Sequence, residues 1–385
     1  MSNEVGLNVD KAVRERYSEA AKTQVAALCC PVDYNKEYLK IIPEEVIARD
    51  YGCGDPSAYV KKGETVLDLG SGGGKICLIA SQVVGSEGTV IGVDMNDDML
   101  DLAHRSAKTV GDKLGYHNVS YRKGNIQDLK LDRETVEKYL KEHPVQNNAD
   151  LIKLEQVMDE LRRNNPMIAD DSIDVVVSNC VLNLVATDEK EKLVSEIFRV
   201  LKRGGRAVIS DIVSDEFVPQ NLQDDAELWS GCISGAFEEA SFLKAFEDAG
   251  FYGVELVKRD EKPWQVVDGI EFRSVTVVAY KGKEGECREH NESVIYKGPF
   301  KTVVDDDGHV FHRGVRSAVC RKTFDIMSKE PYQNHFEAIK PYNEIKPEDA
   351  QLFENCQGDS PVRDPRATKG QGYNETRVGT ESSCC

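Results

Sequence analysis

Val66-Leu67-Asp68-Leu69-Gly70-Ser71-Gly72-Gly73-Gly74 decides the fold. The apolar run reads as a strand, the glycines as the turn that ends it, and the residues from Lys75 onward as the start of a helix. A G-x-G-x-G turn lets backbone pass close to a ligand at the carboxyl edge of a sheet. The dinucleotide order G-x-G-x-x-G is not met, because Gly70, Gly72, Gly73 and Gly74 leave a lysine at 75. The next strand, Val90-Ile91-Gly92-Val93-Asp94-Met95, ends in Asp94, and 94 − 68 = 26 residues is about the span of one βαβ unit. A carboxylate at that strand end offers enough lone pairs for both hydroxyls of a ribose. Together the two segments predict a nucleotide-type site.

Working outward, the sequence from Glu64 to Asp211 alternates apolar strands with amphipathic helices, the pattern of a parallel, doubly wound α/β sheet. The strands read as Thr65 to Leu69, Val90 to Asp94, Val119 to Lys123, Ile173 to Ser178 and Arg206 to Ile212. Leu193, Ile197, Val200 and Leu201 share one helix face, which should lie on the sheet, with Gly204-Gly205 as the stop. Lys11 to Val46 is helical in pattern and broken at Cys29-Cys30-Pro31, so residues 1–60 are expected to cap the next domain. Residues 61–282 form that domain, with a helical surface insertion at about 131–170. Val254 to Val257 and Ser274 to Tyr280 should close its sheet, and Val294 to Tyr296 and Val310 to His312 belong to a small β-rich domain at 283–345. Residues 346–385 are polar and broken by proline and glycine, hence expected to be a flexible tail.

The formal charge of −18 argues against nucleic acid, and no apolar run is long enough to span a membrane. Met1 to Asp10 has no secretory pattern, so a cytoplasmic protein is expected. Nothing specifies an oligomer, and a monomer is the expectation. Eleven cysteines in such a chain point to metal binding or thiol chemistry rather than a disulfide framework.

Three of those cysteines sit in turn-like motifs: Asp50-Tyr51-Gly52-Cys53-Gly54, Val177-Ser178-Asn179-Cys180-Val181-Leu182-Asn183-Leu184 and Leu228-Trp229-Ser230-Gly231-Cys232-Ile233-Ser234-Gly235-Ala236. The glycine turn with Asp94 resembles motifs I and II of class I S-adenosylmethionine-dependent methyltransferases, and the cysteine motifs are similar to those of arsenite methyltransferases over about Tyr17 to Tyr280. The resemblance implies a Rossmann-like class I methyltransferase sheet with an N-terminal helical cap and a smaller C-terminal α+β domain. It implies methyl transfer from S-adenosylmethionine to trivalent arsenic held by Cys53, Cys180 and Cys232. Asp68, Gly70, Ser71 and Gly72 would surround the methionine part, Asp94 and Met95 the ribose and adenine, and Ile126 and Gln127 the adenine, with Tyr51 and Asn179 also on the cofactor. It further implies a relay in which Cys29 or Cys30 pairs with Cys53, recycled by glutathione or thioredoxin.

Trivalent arsenic is soft and prefers thiolates, and three sulfurs leave it one lone pair to attack a methyl group in line, so no general base is needed. Two other readings fit the same residues: an organic small-molecule methyltransferase with structural cysteines, and a non-catalytic As(III)-binding protein. Cys77 reads as packing, Cys384-Cys385 loosely as an arsenic-gathering tail, and Cys287, Cys320 and Cys356 belong to no motif. Asp305-Asp306-Asp307-Gly308-His309 reads as a solvated turn. Trp229 and Phe237 should wall the pocket, and Trp264 should pack between domains.

Overall fold

An apolar run without polar alternation is stable as a strand only where both faces of its sheet are covered. The computed structural model describes residues 9–21, 32–354, 356–370 and 373 of this chain, which divides into two compact units, residues 1–281 and 282–385. The elements of the first are α1 (Val9–Ala20), α2 (Lys36–Leu39), α3 (Glu44–Ala48), β1 (Thr65–Leu69), α4 (Lys75–Val84), β2 (Thr89–Asp94), α5 (Asp97–Leu114) and β3 (Val119–Lys123). There follow α6 (Arg133–Glu142), α7 (Asn148–Asn164), β4 (Ile173–Asn179), α8 (Lys190–Val200), β5 (Leu201–Ser214), α9 (Gln220–Gln223) and α10 (Ala226–Ser230). β6 (Phe237–Glu238), α11 (Glu239–Asp248), β7 (Tyr252–Arg259), β8 (Gln265–Val267) and β9 (Ile270–Tyr280) complete it.

The main sheet runs β3-β2-β1-β4-β5-β9-β7, parallel through β5 and antiparallel at β9 and β7. Alternate residues of the central strands enter two cores. Leu67, Leu69, Val176, Ile209 and Val277 pack with Leu193 and Ile197 of α8 and Phe242 and Phe246 of α11. On the other face Val66, Val175, Val177 and Val208 pack with Leu78 of α4 and Leu102 and Val110 of α5. The strand order reverses between β1 and β4, whose neighbours β2 and β5 lead away in opposite directions, so the carboxyl ends of β1 and β4 flank a crevice.

Two local readings change. α8 already ends at Val200, where Leu201 turns extended (φ −69°, ψ 136°). The glycine pair instead lies in the irregular opening of β5, where the pairing with β4 slips between Ile173 and Val175 and Gly204 takes φ 84°. The stretch at 131–170 carries α6 and α7, and α7 buries none of its residues.

In the second unit, β10 (Ser293–Tyr296) pairs antiparallel with β13 (Arg316–Ala318) and β14 (Phe336–Ile339). β11 (Thr302–Val304), β12 (His309–His312) and β15 (Gly358–Asp359) form another small sheet, with α12 (Arg321–Met327) between β13 and β14 in the chain. Val294, Tyr296, Phe311, Phe324 and Phe336 are buried. Of residues 346–385, expected as a flexible tail, residues 346–354 and 356–370 are built into this unit: Val362 bridges to Ser317, Arg363 reaches Glu289 at 2.8 Å, and α13 (Pro365–Lys369) buries Thr368. Polar composition misled because the segment is fastened by hydrogen bonds and an ion pair rather than by apolar side chains.

Candidate functional site

The crevice is a cavity at the carboxyl ends of β1, β2 and β4. The turn after β1 is shaped by its glycines: Gly70 (φ 68°) would drive a Cβ to 2.4 Å from the Val181 side chain, and Gly74 (φ 88°) to 2.2 Å from the Tyr121 hydroxyl. Gly72 (φ 50°) differs, since a Cβ there would meet nothing within 4 Å; it lines the cavity. Asp94 anchors the turn by accepting the N–H of Gly72 at 2.8 Å and of Asn96 at 2.9 Å, one on each oxygen. Each oxygen keeps a lone pair for a further donor. Tyr51, Asp68, Gly70, Ser71, Gly72, Asp94, Met95, Ile126, Gln127, Asn179 and Cys180 all line this one cavity. The open space at Gly72, the spare carboxylate valences and the apolar Met95 and Ile126 fit an adenosine-bearing cofactor.

Residues of α1, absent from the sequence expectation, form a further wall: Val13, Arg14 and Tyr17. The helix is pinned by Arg16, which donates to the Glu227 carbonyl at 2.6 Å and to the Ser230 hydroxyl at 2.8 Å, and by the edge-on packing of Tyr17 on Tyr51.

Beside the cavity lie the cysteines. Cys53 and Cys180, far apart in sequence, are joined as a disulfide with Cα atoms 5.8 Å apart, an ordinary spacing. Cys232 lies outside that disulfide, and its thiol donates to the Cys180 carbonyl at 3.4 Å. The structure therefore gathers the three residues in one buried cluster with Ile212, Ile233 and Phe272, with two sulfurs bonded rather than three standing as free thiolates. Cys180 (φ 59°) and Cys232 (φ 63°) both adopt left-handed backbone, a conformation costly for a residue with a Cβ and concentrated at functional sites. Cys29 and Cys30, the expected partners of Cys53, and Cys384 and Cys385 lie outside the described residues.

The Cys53 loop is held by one side chain. Asn179 Oδ1 accepts the N–H of Cys53 at 2.9 Å and of Gly54 at 3.0 Å, while Nδ2 donates to the Gly54 carbonyl at 2.7 Å and the Tyr34 hydroxyl at 3.1 Å. Glycine is required here because a Cβ at Gly52 would lie 2.0 Å from Asn179 and one at Gly54 2.5 Å from Ser210. With two acceptor and two donor positions used, the Asn179 side chain has no polar valence left for a ligand. Tyr34 also lies over Lys75, 3.5 Å from Nζ to the ring centre, and Lys75 pairs with Asp50 at 2.7 Å.

Sequence reading missed Asp211 and Lys190. The Asp211 carboxylate lies within 4.8 Å of the sulfurs of Cys53 and Cys180. Burial raises its pKa to about 6 despite the N–H groups of Ile212 and Leu182 that it accepts. Burial also lowers the Lys190 ammonium to about 8, opposed by Asp211 and Cys232. Neither residue stands in a motif; the one signal was a charged residue inside an apolar strand. Trp264 packs against the cysteine cluster of the first unit, and Trp229 donates to the Leu184 carbonyl at 3.4 Å.

Asp68 is inaccessible except for 2% of its surface, and burial lifts its carboxyl to about 7, although the Cys77 thiol donates to it at 3.1 Å. In the unfolded chain the group ionises near its ordinary 3.8, so between these values the native state binds more protons and stability falls as pH rises. Three units correspond to on the order of 4 kcal/mol. Asp68→Asn, which still accepts from Cys77, is expected to gain stability relative to the parent on going from pH 4 to pH 8, by roughly 2–4 kcal/mol in urea midpoints. An unchanged difference at the two pH values would refute the buried charge.

The family described as a methyltransferase domain matches residues 60–168 and 147–250, and a domain of unknown function (DUF8838) matches residues 283–373. An arsenite methyltransferase of Aquipseudomonas alcaligenes is 29% identical over 375 residues, covering 93% of each chain. The human arsenite methyltransferase is 28% identical over 325 residues, 81% of this chain and 76% of its own. A crystal structure of an arsenic(III) S-adenosylmethionine methyltransferase from Chlamydomonas reinhardtii superposes with a TM-score of 0.55 at 26% identity, covering 84% of this chain and 100% of that one. Sheet order, glycine turn and cavity thus define the class I S-adenosylmethionine methyltransferase fold. Within that class, the chain is similar over most of its length to arsenite methyltransferases. Among the described residues no helix is long and apolar enough to cross a membrane.

Proposed function

We propose that this protein methylates trivalent arsenic held by Cys53, Cys180 and Cys232, using S-adenosylmethionine, and so serves arsenic detoxification. The observation that carries the reading is that Cys180 belongs both to the cavity wall and to the cysteine cluster, so the thiols meet the cofactor space at one residue. When bound, S-adenosylmethionine supplies a methyl group on a sulfonium. Asp94 would take the ribose hydroxyls on its spare lone pairs, Met95 and Ile126 the adenine, and the turn at Gly70 to Gly72 the methionine part, with Asp68 and α1 closing the wall.

The acceptor is prepared by the cysteines. An external thiol such as glutathione or thioredoxin supplies two electrons and two protons to open the Cys53–Cys180 bond, and is itself oxidised to a disulfide. Arsenite then condenses with three thiols, each As–S bond releasing one water. The arsenic lone pair carries no proton, so Asp211 and Lys190 need not act as a base; they set the charge beside the sulfurs. The buried cluster keeps water from competing for the soft centre.

Incubation with arsenite, S-adenosylmethionine and glutathione is expected to yield methylated arsenicals, identified by chromatography with mass spectrometric detection. Methylation of an organic acceptor without arsenic, or arsenite binding with no consumption of the methyl donor, would each overturn the reading.

A further inference from the structure

Far in sequence from the site above, Cys287, Cys320 and Cys356 bring their sulfurs within 4.8 Å of one another in the second unit, all three as free thiols. Each vertex is fixed by backbone. The Cys287 carbonyl accepts the N–H of Phe353 at 2.9 Å, the Arg288 carbonyl accepts that of Arg321 at 2.8 Å, and Arg288 bridges to Leu352. Cys320 starts α12 and is only 1% exposed, its sulfur 3.3 Å from the Thr323 hydroxyl; Cys356 reaches the Phe353 carbonyl at 3.6 Å. Three thiols cannot pair off as disulfides, and as weak donors and acceptors they gain little from one another.

A cavity opens on two of them: Cys287 and Cys356 line it together with Asp307, His309 and Glu354. His309 is turned so that Nδ1 meets Asp305 at 2.8 Å, the outer hydrogen bond that leaves the other ring nitrogen of an imidazole available as a ligand. The unit itself is short of core, its strands running to two, three or four residues, and domains of this kind gain from a staple.

We propose that Cys287, Cys320 and Cys356 bind one Zn(II) as three thiolates, with the fourth position taken from the cavity walled by Asp307, His309 and Glu354. Sulfurs that close together need move little to reach the ~3.8 Å that two Zn–S bonds of about 2.3 Å span at a tetrahedral angle. The three protons leave to solvent as the thiols become thiolates. The site ties the segment entering the unit, the start of α12 and the loop after Phe353 to a single ion. It owes nothing to the proposed methyl transfer.

The test uses the full chain, reduced, stripped with chelator and titrated with Zn(II) or Co(II) alone. The expected result is ~1 tight equivalent, a cobalt spectrum with thiolate charge transfer and tetrahedral bands, and protection of Cys287, Cys320 and Cys356 from alkylation in peptide mapping. Cys320→Ser should weaken the metal at least about tenfold, whereas Cys232→Ser should leave it in place. Mapping needs no variant, so a Cys320→Ser chain that fails to fold does not spare the proposal. It is overturned if zinc protects none of the three, if protection falls on Cys53, Cys180 and Cys232, if two of the three form a disulfide under mild oxidant in the presence of zinc, or if arsenite alone protects them and zinc does not.

Discussion

Cys232→Ser is expected to lower arsenite methylation by on the order of a hundredfold or more, because an alcohol cannot replace a soft thiolate on trivalent arsenic. Shape is nearly conserved, so the fold should stand; the thiol's weak contacts, to the Cys180 carbonyl at 3.4 Å and to Tyr17, are ones a hydroxyl can also make. Cys180 lines the cofactor cavity and Cys232 does not, so the variant should bind S-adenosylmethionine within about twofold of the parent by calorimetry. That pairing of results separates an arsenic ligand from a packing residue: a structural cysteine would lower stability and both functions together. Turnover of arsenite near the parental rate in Cys232→Ser would remove this sulfur from the site.

The parallel sheet was legible because its strands are uninterrupted apolar runs and its first turn is rich in glycine, both local properties of the chain. The cysteine motifs were legible through their resemblance, and the glycines beside Cys53 make physical sense once Asn179 and Ser210 are seen against that backbone. What stayed hidden depends on contacts between distant segments. Asp211 meets sulfurs supplied by Cys53 and Cys180. Arg16 reaches α10 from the first helix, across a separation of 211 residues to Glu227, so the wall made by α1 had no signal near the glycine turn. Cys287, Cys320 and Cys356 stand 33 and 36 residues apart, spacings that match no short motif; only the folded second unit makes them neighbours.

Asn179 carries a task beyond the cofactor contact expected of it. Its position at the carboxyl end of β4 favours a cofactor contact, and it does line the cavity, yet both oxygen lone pairs and both amide hydrogens are spent on Cys53, Gly54 and Tyr34. The side chain is thereby a positioning residue that fixes the Cys53 loop next to Cys180. Asn179→Ala leaves the Cys53 and Gly54 N–H groups without partners, while the Gly54 carbonyl keeps the Tyr34 hydroxyl at 3.1 Å; at about 1–3 kcal/mol for each group that water cannot reach, a loss of roughly 2–4 kcal/mol in urea unfolding is expected. Released from its anchor, Cys53 should no longer be presented at a fixed distance from Cys180. The Cys53–Cys180 disulfide should then be reduced faster by glutathione, and kcat/KM for arsenite should fall about 10–100-fold through a raised KM. Affinity for S-adenosylmethionine should change by no more than about threefold, since no valence of Asn179 points to it. The opposite pattern, a collapse of cofactor affinity with the disulfide's reduction rate and the KM for arsenite unmoved, would return Asn179 to the cofactor and leave the Cys53 loop held by the Ser274 hydroxyl, which donates to the Cys53 carbonyl at 2.7 Å.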